Sequence, residues 1–141
     1  MLMGEYSHSL DAKGRIIIPA KLRDQLGGTF VVCKGLERCL FVFSPAEWEK
    51  LANKLQTLPL TDARARKFSR YLLAGASEVE MDKQGRALLP QNLRESAGLI
   101  RDVVLCGVGN RAEIWSKEAW EDISRYDDID ELAEQMAALG I

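Results

Sequence analysis

Apolar and polar side chains alternate near the start of the chain, where Tyr6, His8 and Leu10 are separated by two serines. A period of two residues predicts a half-buried β-strand. After a short polar turn, three consecutive isoleucines occupy residues 16–18. A β-branched run of this kind predicts a second strand that is buried on both faces.

Proline at position 19 ends this second strand, because proline has no backbone N–H to donate to a β-ladder. Proline suits the first turn of a helix, and Gly27 is placed to stop that helix. Two apolar runs, Thr29–Lys34 and Leu40–Phe43, then predict a β-hairpin.

A capping box follows the hairpin, in the tetrapeptide S-P-A-E at residues 44–47. Serine stands at the N-cap, proline at the first helical position and glutamate three residues after the serine. This pattern predicts a helix that buries Trp48, Leu51, Leu55 and Leu58. In the second half of the chain the matching apolar positions are Trp115, Trp120 and Ile123.

The same order of features occurs twice, at an offset of 71 residues. D-A-K-G-R-I-I-I-P-A-K-L-R occupies residues 11–23, and D-K-Q-G-R-A-L-L-P-Q-N-L-R occupies residues 82–94. A glycine, a cysteine-containing strand and a tryptophan follow each copy in the same order. The second copy carries Ala87 where the first has Ile16, which predicts a locally weaker strand.

This duplication predicts four segments. They are a first repeat at residues 4–50, a helical linker at 51–74, a second repeat at 75–121 and an acidic tail helix at 122–141. A repeat of this size encloses too little apolar surface to fold alone. We therefore expect an α+β, β-rich fold in which two pseudo-symmetric halves interleave their hairpins into one β-barrel core, with short helices around it.

The linker and the tail have their own patterns. On a helical wheel Ala65, Phe68 and Leu72 share one face of the linker, and the opposite face is basic. That basic face is either a solvated surface, a phosphate-binding surface or a subunit contact. Its residues are Arg64, Arg66, Lys67 and Arg70. The pattern of residues 128–141, within the tail, predicts a short acidic amphipathic helix used in packing or assembly.

Charge is distributed unevenly along the 141 residues, although the net charge is only −2. Residues 113–141 carry nine acidic and two basic side chains, a balance of −7, which leaves +5 for residues 1–112. Nucleic acid would therefore be held by local patches and not by overall charge. No apolar run is long enough for a membrane span, and no secretory signal opens the chain, so we expect a cytoplasmic protein.

Cysteine and histidine usage argues against metal and catalytic chemistry. Cys33, Cys39 and Cys106 are an odd set without a C-x-x-C spacing, which favours buried thiols over a zinc site or disulfides. His8 is the sole histidine, and no nucleophile, base and orienting carboxylate form a recognisable set. We expect no metal, no cofactor, no small-molecule substrate and no enzymatic activity.

The two charged turns are the candidate DNA-binding site. Aspartate can hold such a turn by accepting backbone N–H bonds, and glycine supplies the positive φ that the turn needs. An arginine fork presents several donors suited to phosphates or guanine edges. The alternative is that the arginines only pin their turns. The predicted DNA-binding residues are Lys13, Arg15, Lys83 and Arg86, and the turn-supporting residues are Asp11, Gly14, Asp82 and Gly85.

The doubled D-x-x-G-R-x-x-x-P-x-x-L-R resembles the motif of the SpoVT-AbrB (swapped-hairpin) domain. Two tandem copies in a chain of this length resemble the MraZ family of bacterial transcriptional regulators. The resemblance implies a DNA-binding regulator, acting as a repressor, of the division and cell-wall gene cluster. It also implies a ring-shaped homo-oligomer on promoter direct repeats, associated with the nucleoid. Its D-x-x-x-R elements fall on Asp11 with Arg15 and on Asp82 with Arg86.

One alternative function stays open from the sequence. A protein of the same fold could be an antitoxin-like interaction module that binds a second protein without specific DNA binding. The acidic tail would then be the binding segment. The sequence leaves open the number of subunits, the DNA sequence bound and the choice between repression and activation.

Overall fold

The computed structural model describes residues 1–141 and contains short strands and helices in an α+β arrangement. The strands are β1 (Leu2–Ser9), β2 (Arg15–Ile17), β3 (Thr29–Lys34), β4 (Leu40–Phe43), β5 (Ser77–Glu80), β6 (Arg86–Leu88), β7 (Asp102–Gly109) and β8 (Ala112–Ser116). The α-helices are α1 (Ala20–Leu26), α2 (Pro45–Gln56), α3 (Ala63–Ser69), α4 (Gln91–Ser96), α5 (Lys117–Ile123) and α6 (Ile129–Met136). A π-helical turn, Arg70–Ala74, follows α3, and a 3₁₀ turn, Ala137–Leu139, follows α6.

Six strands form one antiparallel sheet in the order β1-β7-β8-β4-β3-β5. Strand β1 pairs with β7 from Leu2 opposite Gly109 to Ser9 opposite Asp102. Strand β5 pairs in the same way with β3. Each edge strand is therefore bonded to a strand from the other half of the chain, and the order is unchanged when the two halves are exchanged.

The remaining strands, β2 and β6, pair with each other as a two-stranded antiparallel ribbon, and Ala87 of β6 makes one further isolated bridge with Met81. Ile16 lies opposite Ala87, and both are fully buried. Ile17 points the other way and is exposed. The expectation that the triple-isoleucine strand is buried on both faces was therefore wrong for Ile17, because the core covers one side of the ribbon only.

The strands make one sheet and one ribbon, and the single closed barrel that we expected is not formed. Pro19 and Pro90 follow the short ribbon strands closely, and neither can donate a ladder hydrogen bond. The ribbon therefore stops before it can extend into a larger sheet. The swapped-hairpin description stays a prediction.

A shared apolar core joins the sheet, the ribbon and the helices α1 and α4. It draws side chains from both halves, as expected for two units that cannot fold separately. Its largest fully buried members include Ile16, Ile18, Leu22, Phe30, Leu89, Leu93, Leu105 and Ile114.

The predicted N-cap at Ser44 is present, since the Ser44 hydroxyl accepts a hydrogen bond from the Glu47 N–H at 3.3 Å. The reciprocal bond of a capping box is not formed, and the Glu47 carboxylate accepts from Lys50 Nζ at 3.2 Å instead. Helix α2 buries Leu55 and half-buries Trp48 and Leu51. Leu58 is exposed because the helix ends at Gln56, so its predicted burial was wrong.

Matching positions in the second half gave a similar result. Trp115 is buried and Trp120 is half-buried, and their rings lie 6.2 Å apart. Ile123 is exposed at the last residue of α5, so the expectation that it packs as apolar core was wrong. Helix α5 is too short to carry this side chain back over the sheet.

Only part of the predicted apolar face of the linker packs against the protein. Leu72 is buried and Ala65 is half-buried, whereas Phe68 is exposed. Helix α3 passes into a π-helical turn at Arg70, which changes the angular spacing of the side chains after it. Phe68 lies before that junction and Leu72 after it, so the two side chains no longer share the face that a regular helical wheel gives them.

The three cysteines are free and buried, as predicted for small apolar side chains. Burial raises the pKa of the Cys33 and Cys39 thiols to about 12 and that of Cys106 to about 11. These thiols therefore stay protonated at neutral pH. None of the helices combines the length and the apolar character that a membrane-spanning segment requires.

Candidate nucleic-acid interface

Asp11 organises the first charged turn by three hydrogen bonds. Its Oδ1 accepts from the N–H groups of Lys13 and Arg15, both at 2.9 Å. Its Oδ2 accepts from Arg15 Nε at 2.6 Å, which makes a charge-assisted bond. One carboxylate thus fixes both the backbone of the turn and the direction of the arginine.

Asp82 makes the same three bonds in the second turn. Its Oδ1 accepts from the N–H groups of Gln84 and Arg86, both at 2.9 Å, and its Oδ2 accepts from Arg86 Nε at 2.8 Å. Gly14 and Gly85 have φ angles of 85° and 77°, in the region that other residues adopt at a cost. The duplicated sequence has folded into duplicated geometry.

These bonds also stabilise the charged forms of the two aspartates. The backbone N–H of Arg15 is the largest cause that lowers the pKa of Asp11, and the Arg15 guanidinium adds to it. The N–H and guanidinium of Arg86 lower the pKa of Asp82 in the same way. Both turns therefore carry a paired carboxylate and guanidinium at neutral pH.

Each arginine of the two turns keeps donors free for a ligand. The side chains of Arg15 and Arg86 are 28% and 31% exposed, so the stems are held while the ends reach the surface. Nε is used by the aspartate, and the terminal Nη groups donate no hydrogen bond within the chain. Such a guanidinium is oriented before a ligand arrives.

Strand register places both arginines on one surface. In the β2–β6 ribbon, Arg15 lies opposite Leu88, and Ile17 lies opposite Arg86. Residues two apart on a strand share a face, so all four side chains point the same way. Ile17 and Leu88 are 44% and 55% exposed. We call the surface formed by Arg15, Ile17, Arg86 and Leu88 the ribbon face.

The ribbon face is compact and two-fold symmetric. Its two arginines are diagonal neighbours across an antiparallel pair, a separation of about 7–8 Å. Ile17 and Leu88 occupy the other diagonal. The face is therefore a small patch of four side chains in which cations and apolar groups alternate from corner to corner.

Each turn is also locked by an arginine from the other half. The Arg94 guanidinium lies against Gly14 and the Arg23 guanidinium lies against Gly85, so a Cβ at either glycine would collide with it. Arg23 Nε donates to the carbonyl of Ile18 at 2.7 Å, and Arg94 Nε donates to that of Leu89 at 3.0 Å. Arg23 and Arg94 therefore hold the two turns in a fixed relation.

The two predicted lysines lie at the tips of the turns. Lys13 and Lys83 are exposed, and neither forms a salt bridge. They flank the ribbon face without joining it. Elsewhere, no three histidine, cysteine, aspartate or glutamate side chains lie together as metal ligands would.

Sequence reasoning missed the apolar half of this site. Ile17 was assigned to the core, and Leu88 was not singled out. Both are related by the same offset of 71 residues as the arginines. That correspondence was the available signal. Apolar residues that recur two positions after both duplicated arginines could have been assigned to the same surface as the arginines.

Another cluster was not foreseen, in strand β8. Glu113 is buried, and its carboxylate accepts from Arg111 Nε and Trp115 Nε1, both at 3.0 Å. The Arg111 guanidinium lies 4.7 Å from the centre of the Phe41 ring. Every polar group of the cluster has a partner within the chain, so we interpret it as structural.

A family model and individual relatives both assign the chain to one protein family. A family model described as "MraZ protein, putative antitoxin-like" matches the chain twice, at residues 1–71 and 72–139. The chain belongs to the MraZ family. Each of the two MraZ matches contains one D-x-x-G-R turn with its aspartate and arginine.

Individual MraZ relatives are similar over their whole length. Proteins named "Transcriptional regulator MraZ" from Thermoanaerobacter pseudethanolicus and Clostridium beijerinckii are 56% and 55% identical to this chain over 143 and 142 residues. One from Syntrophomonas wolfei is 50% identical over 143 residues. In all three cases the match covers 100% of both chains.

Proposed function

We propose that this protein is a sequence-specific DNA-binding transcriptional regulator and that it reads DNA with the ribbon face. One observation carries the proposal: the ribbon register brings two aspartate-oriented arginines and two exposed apolar side chains onto one small surface. The names of its relatives as transcriptional regulators support this function.

The dimensions of the ribbon suit the major groove of DNA. That groove is about 12 Å wide and admits a two-stranded β-ribbon. The free Nη groups of Arg15 and Arg86 are suited to O6 and N7 of guanine or to phosphate oxygens. Ile17 and Leu88 are suited to contact the methyl group of thymine, which is the apolar feature of that groove.

The turn tips supply the less specific part of binding. Lys13 and Lys83 extend beyond the ribbon, where they would meet the phosphates on either side of the groove. Lysine acts there as a point charge, which adds affinity without reading sequence. We therefore expect log affinity to fall steeply with log salt concentration, with a slope of about one per phosphate neutralised.

Assembly extends the proposal to repeated DNA sites. We infer that several subunits form a ring and that the ring binds direct repeats in the promoter of the protein's own division and cell-wall gene cluster. Each ribbon face contributes a weak contact, and later contacts are strengthened because they become intramolecular. A ring bound at the promoter would block polymerase, which makes repression the expected outcome and the nucleoid the expected location.

The decisive experiment removes both guanidinium groups in Arg15→Ala with Arg86→Ala. A matched control removes two exposed arginines away from the ribbon face, in Arg101→Ala with Arg125→Ala. Both variants change the net charge equally. Binding to a promoter fragment from the chain's own operon is measured by electrophoretic shift, and subunit mass is measured by light scattering.

We expect the ribbon-face variant to lose about 30-fold to 2 × 10⁴-fold in affinity, because it lacks two bidentate arginine contacts that are each worth about 1–3 kcal/mol. The control should lose much less, and both variants should keep their mass. Wild-type affinity in the ribbon-face variant would show that the DNA site lies elsewhere.

A second candidate function is the antitoxin-like interaction module. The description of the matching family model and the exposed acidic tail favour it. In that case the wild-type protein would shift neither promoter DNA nor control DNA. The electrophoretic experiment therefore separates the two functions directly.

A further inference from the structure

Helix α6 carries an apolar stripe that nothing in its own chain covers. Ile129, Leu132 and Met136 lie at spacings of three and four residues, which places them on one side of the helix. All three are exposed, as are Leu139 and Ile141 after them. An isolated helix of eight residues has little stability in water, so packing against a partner is needed to maintain it.

The rest of this helix is acidic. No carboxylate of the tail forms a salt bridge within the chain. A partner for the tail should therefore present apolar groups to the stripe and positive charges beside it. The tail carboxylates are Asp127, Asp128, Asp130, Glu131 and Glu134.

A groove with these properties exists on the linker. It lies between the end of α2 and the start of α3 and has a volume of about 490 Å³. Leu58 and Leu60 expose apolar surface in it, and Leu60 is 82% exposed. Arg66 and Arg70 also line it. We call this cavity the linker groove.

The charges of the linker groove are largely unpaired. Arg70 and the adjacent Lys67 form no salt bridge. Arg66 donates only to the backbone carbonyl of Leu60, at 2.9 Å. The linker groove thus combines positive charge with exposed apolar surface. The tail combines negative charge with an exposed apolar stripe, so the two surfaces are complementary.

We propose that the tail of one subunit docks in the linker groove of a second copy of this chain. The stripe of Ile129, Leu132 and Met136 would cover Leu58 and Leu60, and the tail carboxylates would face Arg66 and Arg70. A second copy is the partner because the groove is lined by residues 55–73 alone, and residues 125–141 are all exposed in their own chain.

This contact limits the symmetry of the assembly. Tail and groove are different surfaces, so the contact is repeated head-to-tail unless two subunits exchange their tails reciprocally in a two-fold dimer. A head-to-tail contact generates a closed ring when its rotation closes. The inference therefore deepens the assembly part of the proposed function, but it does not depend on DNA binding and is tested without DNA.

Two complementary variants test the docking. The tail variant, Leu132→Ser with Met136→Ser, keeps its groove. The groove variant, Leu60→Ser with Arg70→Glu, keeps its tail. All four side chains are exposed in the single chain, so these changes should leave its fold intact, which circular dichroism checks. Matched controls are Gln135→Ser on the tail and Lys54→Glu on α2, outside the groove.

Light scattering should show a multimer for the wild type and for both controls. Each variant alone should have the mass of one chain, 15.8 kDa. An equimolar mixture should have twice that mass, because the intact tail of one variant fits the intact groove of the other and neither remaining end can extend the chain. Only a contact between the tail of one subunit and the groove of another predicts this restoration, and a wild-type mass above that of two chains excludes reciprocal exchange within a dimer.

Other outcomes would overturn the proposal. A monomeric wild type would show that the contact does not form. Wild-type mass in both variants would indicate docking within one chain or an unrelated interface, and wild-type mass in the groove variant alone would indicate contact between two tails. A mixture that remains at single-chain mass would also contradict it. None of these results bears on the arginines of the ribbon face.

Discussion

The two halves of the chain are alike at their turns and different after their last helices. Each turn is held by the same three hydrogen bonds to its aspartate. The bond from arginine Nε to aspartate Oδ2 is 2.6 Å long in the first turn and 2.8 Å long in the second. After α2, the linker returns to the protein and buries Leu72 against Cys33 and Phe43. After α5, the tail buries nothing.

This difference shows which contacts hold the duplication in place. Each turn is covered by a helix of the other half, since Arg94 of α4 lies against Gly14 and Arg23 of α1 lies against Gly85. A change in one copy must therefore be accommodated by the other. The linker and the tail have no such mutual contact, so they have taken separate roles.

The largest expected effect tests the position at which the two ribbon strands differ most in side-chain size. Ile16 and Ala87 face each other in the core, so a large side chain is matched by a small one. Ile16→Ala should lower the free energy of unfolding by about 2–5 kcal/mol by leaving a cavity. Ala87→Ile should cost about 1–3 kcal/mol by overpacking. Urea denaturation measures both.

Exchanging the two residues sharpens this test. Ile16→Ala with Ala87→Ile conserves the total volume and should remain within about 1.5 kcal/mol of the wild type. If the double variant is as unstable as the sum of the two single changes, the sites do not pack as one space. The two sides of the ribbon would then not be interchangeable at the Ile16–Ala87 pair.

A smaller effect is expected at the glycines of the turns. Gly14→Ala and Gly85→Ala should each cost about 2–4 kcal/mol, through an unfavourable φ and a collision with an arginine. Reciprocal contacts predict similar values for the two. Thermal or urea unfolding of the single variants measures them.

Removing the covering arginine distinguishes the two causes. Adding Arg94→Ala should reduce the cost of Gly14→Ala but leave the cost of Gly85→Ala unchanged, because Arg23 covers Gly85. Equal relief of both glycine variants would argue against the separate reciprocal contacts.

Helix caps should give a smaller and unequal effect. The hydroxyls of Ser44 and Ser116 each accept from the N–H three residues later, at 3.3 and 3.1 Å. Loss of such a cap costs about 1 kcal/mol. Ser44→Ala should lower global stability because α2 carries buried Leu55. Ser116→Ala should mainly speed amide exchange within α5, which buries no residue. Equal global losses would contradict this difference.

The smallest effect concerns pH. The pKa values of Asp11 and Asp82 are lowered in the folded protein, so each adds stability above its unfolded pKa of about 3.9, and this stability is lost as pH falls through the folded value. Asp11→Asn with Asp82→Asn should flatten the acid limb of the stability curve. Unfolding measured from pH 7 downward checks this, and parallel acid limbs would show that the pairs contribute nothing.

Local patterns predicted much of the fold because they depend on nearby residues. The hairpin strands Thr29–Lys34 and Leu40–Phe43 and the cap at Ser44 were all predicted from the sequence. The prediction of a closed barrel was wrong because it depended on which strands, distant in sequence, pair with one another. Periodicity does not specify that, and Ile17 was misplaced for the same reason.

The candidate site divides in a similar way. Duplicated aspartates and arginines were visible as a motif, and an aspartate-held turn is a local structure. The shared face with Ile17 and Leu88 depends on the pairing of β2 with β6, whose paired residues are 69 to 73 positions apart. The reciprocal packing of Arg23 and Arg94 also arises only after the halves have met.

Strand order has a consequence for synthesis. The first strand leaves the ribosome with no hydrogen-bonding partner, because Leu2 pairs with Gly109 and the intervening strands pair elsewhere. The sheet therefore cannot be completed until β7 and β8 have been translated. Contacts between such distant positions slow folding, since a long segment must close before any bond forms. A nascent chain of this protein must keep its opening strand from aggregating while it waits.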